Sequence, residues 1–189
     1  MQISIARKLF VLFLLCQITN GALFKNKAVP NEISGKATAT IPSCPAYATP
    51  GIQKGGVMDT KNTKTYETSK DNLVVYRLFT QPAKSNKAVK IGTWWTFVKP
   101  SGKKADYMAK NAICSEFNDM THMVTCTLNK NQSFCIGPTQ SMRCENGDVL
   151  PPNFNYQTLI AGAYKKTDNE VIGPGKIFSS CTVTASPLI

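Results

Sequence analysis

Cysteine placement constrains this chain more than any other feature. Cys114, Cys126, Cys135 and Cys144 crowd into one short stretch, with Cys44 upstream and Cys181 downstream, while Cys16 stands apart inside an apolar N-terminal run. That run, Leu9–Cys16, follows Arg7-Lys8 and leads into Gln17-Ile18-Thr19-Asn20-Gly21-Ala22. A basic cap, a short apolar core and a small-residue exit make the layout of a secretory signal peptide. Residues 1–22 are therefore expected to be removed, with cleavage after Gly21 or Ala22. The run is far shorter than the roughly 20 residues needed to cross a bilayer, so no membrane span is expected. Without Cys16 the exported chain keeps an even set of cysteines, and in an oxidising compartment such a set reads as disulfides. Spacing alone does not choose the pairing, but the crowding between Cys114 and Cys144 requires part of the network to be local. No C-x-x-C pair occurs and the chain has 1 His, so neither a zinc site nor any other metal or cofactor is expected.

The chain divides near residue 70. Residues 23–70 are rich in Lys, Thr, Pro and Gly, as in Pro42-Ser43-Cys44-Pro45 and Pro50-Gly51-Ile52-Gln53-Lys54-Gly55-Gly56, and read as an extended basic arm tethered through Cys44. Lys61-Asn62-Thr63-Lys64-Thr65 reads as a solvated turn or the start of a first strand. Residues 71–189 carry a β pattern. Leu73–Phe79 is compact and suited to a pleated surface. Val89–Val98 alternates, placing Val89, Ile91, Thr93, Trp95 and Phe97 on one face. Ala112–Phe117, Met123–Leu128, Tyr156–Tyr164 and Lys176–Thr184 are further strand candidates, separated by turn signals. Lys103–Asn111 has room for two helical turns but lacks a clear cap and a wide apolar stripe. The expected fold class is all-β: a disulfide-stapled sandwich or small barrel, preceded by the arm.

Charge follows the same division. The full chain has 22 Lys+Arg against 11 Asp+Glu, and nearly all the excess falls before residue 111. The basic residues are overwhelmingly Lys and are dispersed, with Lys103-Lys104 and Lys165-Lys166 as doublets in the β domain. Base readout favours the planar fork of Arg, so nucleic acid is a disfavoured partner. An anionic surface or acidic polysaccharide suits this charge better. Trp94-Trp95 is the other binding signal. Neighbouring strand residues face opposite sides, so Trp95 is assigned inward and Trp94 outward, with packing of both in a two-layer sandwich as the alternative. Trp94 with Lys90, Lys99, Lys103 and Lys104 forms the candidate partner-binding set. Asn131-Gln132-Ser133 is a glycosylation sequon on an expected loop.

Enzyme signatures are weak. His122, Glu116, Asp119, Glu145 and Asp148 are the residues from which an acid–base pair would be drawn, and no Gly-x-Ser-x-Gly elbow is present. A non-enzymatic role is therefore expected. The plan of a leader, a Lys/Thr/Pro-rich arm and a β domain bearing Cys44, Cys114, Cys126, Cys135, Cys144 and Cys181 resembles the small secreted cysteine-containing effectors of plant-pathogenic, rust-type fungi. That resemblance implies secretion during infection, in some cases entry into host cells, and interference with defence through a bound host protein. Two alternatives accompany it. One is an inhibitor of extracellular hydrolases, plugging an active site with Gly137-Pro138-Thr139-Gln140 or Ile172-Gly173-Pro174-Gly175. The other is a small basic enzyme or binder acting on polysaccharide or RNA.

Overall fold

The computed structural model describes residues 63–68, 71–83, 89–139, 141–151, 153–163 and 166–189. Cys44 and most of the arm lie outside the described residues. The remainder is an all-β domain of two antiparallel sheets facing one another. One sheet has the order β1-β5-β8-β3, built from β1 (Lys64–Glu67), β5 (Ser133–Thr139), β8 (Asn153–Leu159) and β3 (Trp94–Trp95). The other has the order β2-β4-β9, from β2 (Leu73–Phe79), β4 (His122–Leu128) and β9 (Phe178–Ala185). A small hairpin, β6 (Met142–Arg143) and β7 (Val149–Leu150), hangs beside them.

Alternation along the strands explains why the sheets face each other. Leu73, Val75 and Phe79 of β2 and Val124, Cys126 and Leu128 of β4 bury against Phe134 and Ile136 of β5, Trp95 of β3 and Phe178 of β9. Each such side chain contributes about 1.5–3 kcal/mol on full burial. Trp95 and Phe178 meet with ring centroids 4.9 Å apart, and the Trp95 indole donates to the Gly92 carbonyl at 2.7 Å. The opposite face of β2-β4 is also covered. Leu78, Met120 and Met123 are buried there beneath Tyr107 and Met108 of helix α1 (Lys104–Lys110).

The sheets are tied at both ends of the layer. Tyr76 and Thr96 exchange backbone hydrogen bonds of 2.8 and 2.9 Å, linking β2 to the residue after β3. At the far side, buried Thr68 binds the β4–β5 turn: its hydroxyl donates to the Asn129 carbonyl at 2.9 Å and accepts from the Gln132 amide at 2.7 Å. Asn131, in that turn, is exposed with φ 62°, a conformation Asn tolerates well.

Two disulfides are present among the described residues. Cys126–Cys181 joins directly opposed residues of β4 and β9, with Cα atoms 4.1 Å apart. Cys114–Cys144 fastens the loop after α1 to the β6–β7 hairpin, around a satellite core with Ala112 and Met142. Cys135, fully buried on β5, is also disulfide-bonded, to a cysteine outside the described residues.

Several local expectations need correction. Lys64–Glu67 belongs to the sheet as β1, paired with β5 from Ile136 to Ser133. This is the strand alternative read for Lys64-Thr65, taken over the solvated turn. Ala112–Phe117 is turn structure rather than a strand. Its buried cysteine serves the satellite core instead of a ladder. Gly137-Pro138-Thr139 is not a loop but the buried end of β5, and Gln140 lies outside the described residues. Pro138 fits there because β1 pairing stops at Ile136 and the register with β8 shifts between Pro138 and Thr139, so no ladder donor is missed. Lys104–Lys110 does form a helix, although Lys103–Asn111 has neither a clear cap nor a wide apolar stripe.

Candidate functional site

The site follows from one seam in the β structure. Tyr76 pairs with Thr96, and continuing that antiparallel register would set Arg77 opposite Trp95. The ladder does not continue. Trp94 and Trp95 turn instead to β8, pairing with Leu159 and Thr158, and a gap opens between β2 and β3. Arg77 spans it. Its position is inward in the alternation Leu73, Val75, Arg77, Phe79, and it is only 7% exposed. Nε donates to the Val89 carbonyl at 3.0 Å and Nη1 to the Trp94 carbonyl at 2.9 Å. The guanidinium also packs closely against Gly92, where an added Cβ would fall 2.5 Å from Nη2. A side chain at position 92 would displace it.

Beside this seam lies a cavity of about 640 Å³, a size suited to a small organic ligand. Its wall is mostly apolar and includes Ile91, Trp94, Ile113, Phe117 and Met142. Among the described residues, the charged ones in the lining are Arg77, Lys90, Lys166 and Asp168. Lys90 pairs with Asp168, the first residue of the short helix α2 (Asp168–Val171), which buries Val171 in the core. Thr167 holds the start of α2: its backbone N–H and hydroxyl donate to the Glu170 carboxylate at 2.6 and 2.7 Å. Those bonds keep the Glu170 carboxyl below its usual range. Burial lowers the Arg77 guanidinium to about 10, opposed slightly by Tyr107, so it stays charged at neutral pH. Burial raises the Tyr107 phenol, against the pull of the Arg77 charge, so it stays a neutral hydroxyl.

The residues expected to bind a partner fall in three places. Trp94 and Lys90 both line the cavity. Trp94 is half-buried in its wall instead of standing free on the outer face, and Trp95 is buried inward. Lys99 and Lys103 line a separate, smaller hollow of about 190 Å³ with Pro100, Asp106 and Lys110. Lys104 opens α1 and lines neither. Arg77 was missed as a site residue. The available signal was its position: a charged side chain on the inward set of an otherwise apolar strand needs a special environment.

The acid–base candidates lie elsewhere. Glu116, Asp119, His122, Glu145 and Asp148 line neither cavity. Glu116 accepts from the Glu145 amide at 2.7 Å, Asp148 pairs with Asn146 within its own turn, and His122 Nδ1 meets the Thr121 hydroxyl at 2.9 Å. Cys114, Glu116 and Cys144 lie close enough to suggest ligands, but both sulfurs are consumed in their disulfide. Among the described residues no helix is long and apolar enough to cross a membrane. Comparison with known protein families, with curated proteins and with solved structures finds no match to this chain.

Proposed function

We propose that this is a secreted, non-enzymatic binding protein of effector type, which engages an extracellular or host protein and suppresses defence by occupying it. The observation that carries this reading is the meeting of Trp94 and Lys90 on a largely apolar cavity. A half-buried Trp beside a cation is the kind of anchor on which binding energy concentrates. The mechanism is occupancy: a disulfide-held β domain keeps the seam open before the partner arrives, which limits the ordering cost on association. The basic surface adds electrostatic attraction. The test is capture from extracellular fluid of infected plant tissue, with wild type and Trp94→Ala as parallel baits. A partner retained by wild type and lost by the variant supports the reading. Equal capture by both, or turnover of a substrate by purified protein, contradicts it.

A second reading, inhibition of an extracellular hydrolase, is favoured by the turn Ile172-Gly173-Pro174-Gly175. Asn129 clamps it from both sides, its amide donating to the carbonyls of Gly173 at 3.1 Å and Lys176 at 2.8 Å. Pro174 and Gly175 are exposed at its tip. Inhibition of secreted proteases that disappears on Asn129→Ala would favour this reading over the first.

A further inference from the structure

The cavity has a chemistry of its own beyond offering a hold for a protein partner. Its wall is apolar and aromatic, which suits a flat hydrocarbon body. Among the described lining residues, Arg77, Lys90 and Lys166 stand with the carboxylate of Asp168. That carboxylate is already engaged by Lys90. Arg77 is held in place by the Val89 and Trp94 carbonyls and by its close packing against Gly92, so its charge is fixed in the wall before any ligand enters. Charge buried this way attracts an opposite charge more strongly than a solvated lysine does, because little water screens it. An occupant that fits both features is amphipathic, with a ring and an acid group.

We infer that the seam between β2 and β3 is a binding site for a small aromatic organic anion, a ring bearing a carboxylate, sulfonate or sulfate. The inference rests on the reading of this cavity as the protein's binding site. The ring lies along Trp94 and Phe117, and the acid group is directed toward the cationic side of the wall formed by Arg77 and Lys166. The neutral Tyr107 hydroxyl, which also lines the cavity, adds no opposing charge.

The test uses two probes of similar shape on the purified chain with its disulfides intact: 8-anilinonaphthalene-1-sulfonate, an anion, and N-phenyl-1-naphthylamine, its neutral counterpart. The sulfonate is expected to bind one per chain with a micromolar dissociation constant, at least about tenfold tighter than the neutral amine. Trp94→Ala should weaken both probes. Gly92→Ala, which pushes the guanidinium aside, should bring the sulfonate down to the level of the amine. Should that variant fold poorly, Lys166→Gln, at an exposed position, should narrow the gap between the probes by about two- to threefold. Lys130→Gln, a lysine outside the cavity, should change nothing. Equal affinity for the two probes overturns the anion inference but leaves the cavity as a binding site. Sulfonate binding that responds to Lys130→Gln and not to Lys166→Gln means general attraction to a basic surface and overturns the inference. Binding of neither probe overturns both the inference and the reading of the cavity.

Discussion

Arg77 sets the geometry on which the site depends. Where the pairing of β2 with the β3 region ends, its side chain bonds the Val89 and Trp94 carbonyls, and so props the seam instead of closing it. Lys cannot reproduce this, because an ammonium lacks the flat fork that serves two carbonyls while packing against Gly92. Arg77→Lys is expected to cost about 1–2 kcal/mol in urea denaturation, the scale of one buried carbonyl left without its donor. It should also broaden the Trp94 signals in nuclear magnetic resonance spectra. Unchanged stability together with an unchanged Trp94 environment would show that the guanidinium does not hold the seam. The sequence carried a readable hint of this residue, since Arg77 sits on the inward register of Leu73–Phe79. What it could not reveal is where the ladder breaks. That depends on Trp94-Trp95 choosing β8 over β2, a contact between residues far apart in the chain.

Among the elements, β2 and β4 were legible and the equally long β5 was not. Leu73–Phe79 and Met123–Leu128 form β2 and β4 nearly as read, because alternation over seven residues survives in a half-buried sheet. β5 escaped because Gly137 and Pro138 look like loop residues, and only the end of β1 pairing and a register shift make them tolerable in a strand. Ala112–Phe117 has strand-like composition, but its apolar residues fill a satellite core under the β6–β7 hairpin.

That core depends on Cys114–Cys144. Replacing both cysteines by Ala is expected to cost about 2–4 kcal/mol. It should expose Glu145-Asn146-Gly147-Asp148 to proteolysis while the β2-β4-β9 sheet stays protected from hydrogen exchange. The corresponding change at Cys126 and Cys181 should instead loosen β9. Helix α2 offers a pH-dependent test. Glu170 has its folded pKa depressed by the bonds from Thr167, so its contribution is present above the ordinary carboxylate pKa and is lost as pH falls through the lowered one. Amide protection in Asp168–Val171 should fall across that acidic window, and Glu170→Gln should abolish the dependence.

At the scale of the whole molecule, a basic N-terminal stretch precedes a disulfide-held β domain. The buried, disulfide-bonded Cys135 has its partner outside the described residues, and a chain that has lost residues 1–22 retains Cys44 for that role. Non-reducing peptide mapping of protein secreted by a eukaryotic host is expected to recover Cys114–Cys144, Cys126–Cys181 and a Cys44–Cys135 peptide. It should find an N-terminus at Ala22 or Leu23 and glycan on Asn131. A free thiol at Cys44, or retention of residues 1–22, would contradict the export route.

The central claim is that the seam beside Arg77 is where this protein binds, and its two tryptophans make that claim directly measurable. Each gives one indole N–H signal. Trp95 donates to Gly92 in the core, while Trp94 stands in the cavity wall. On titration with 8-anilinonaphthalene-1-sulfonate, the Trp94 indole and the amides of Ile91 and Gly92 are expected to shift in a saturable, one-to-one manner, with the amides of β9 unmoved. Shifts centred on β9 or on the hollow beside Lys99, with the Trp94 indole unchanged, would contradict it.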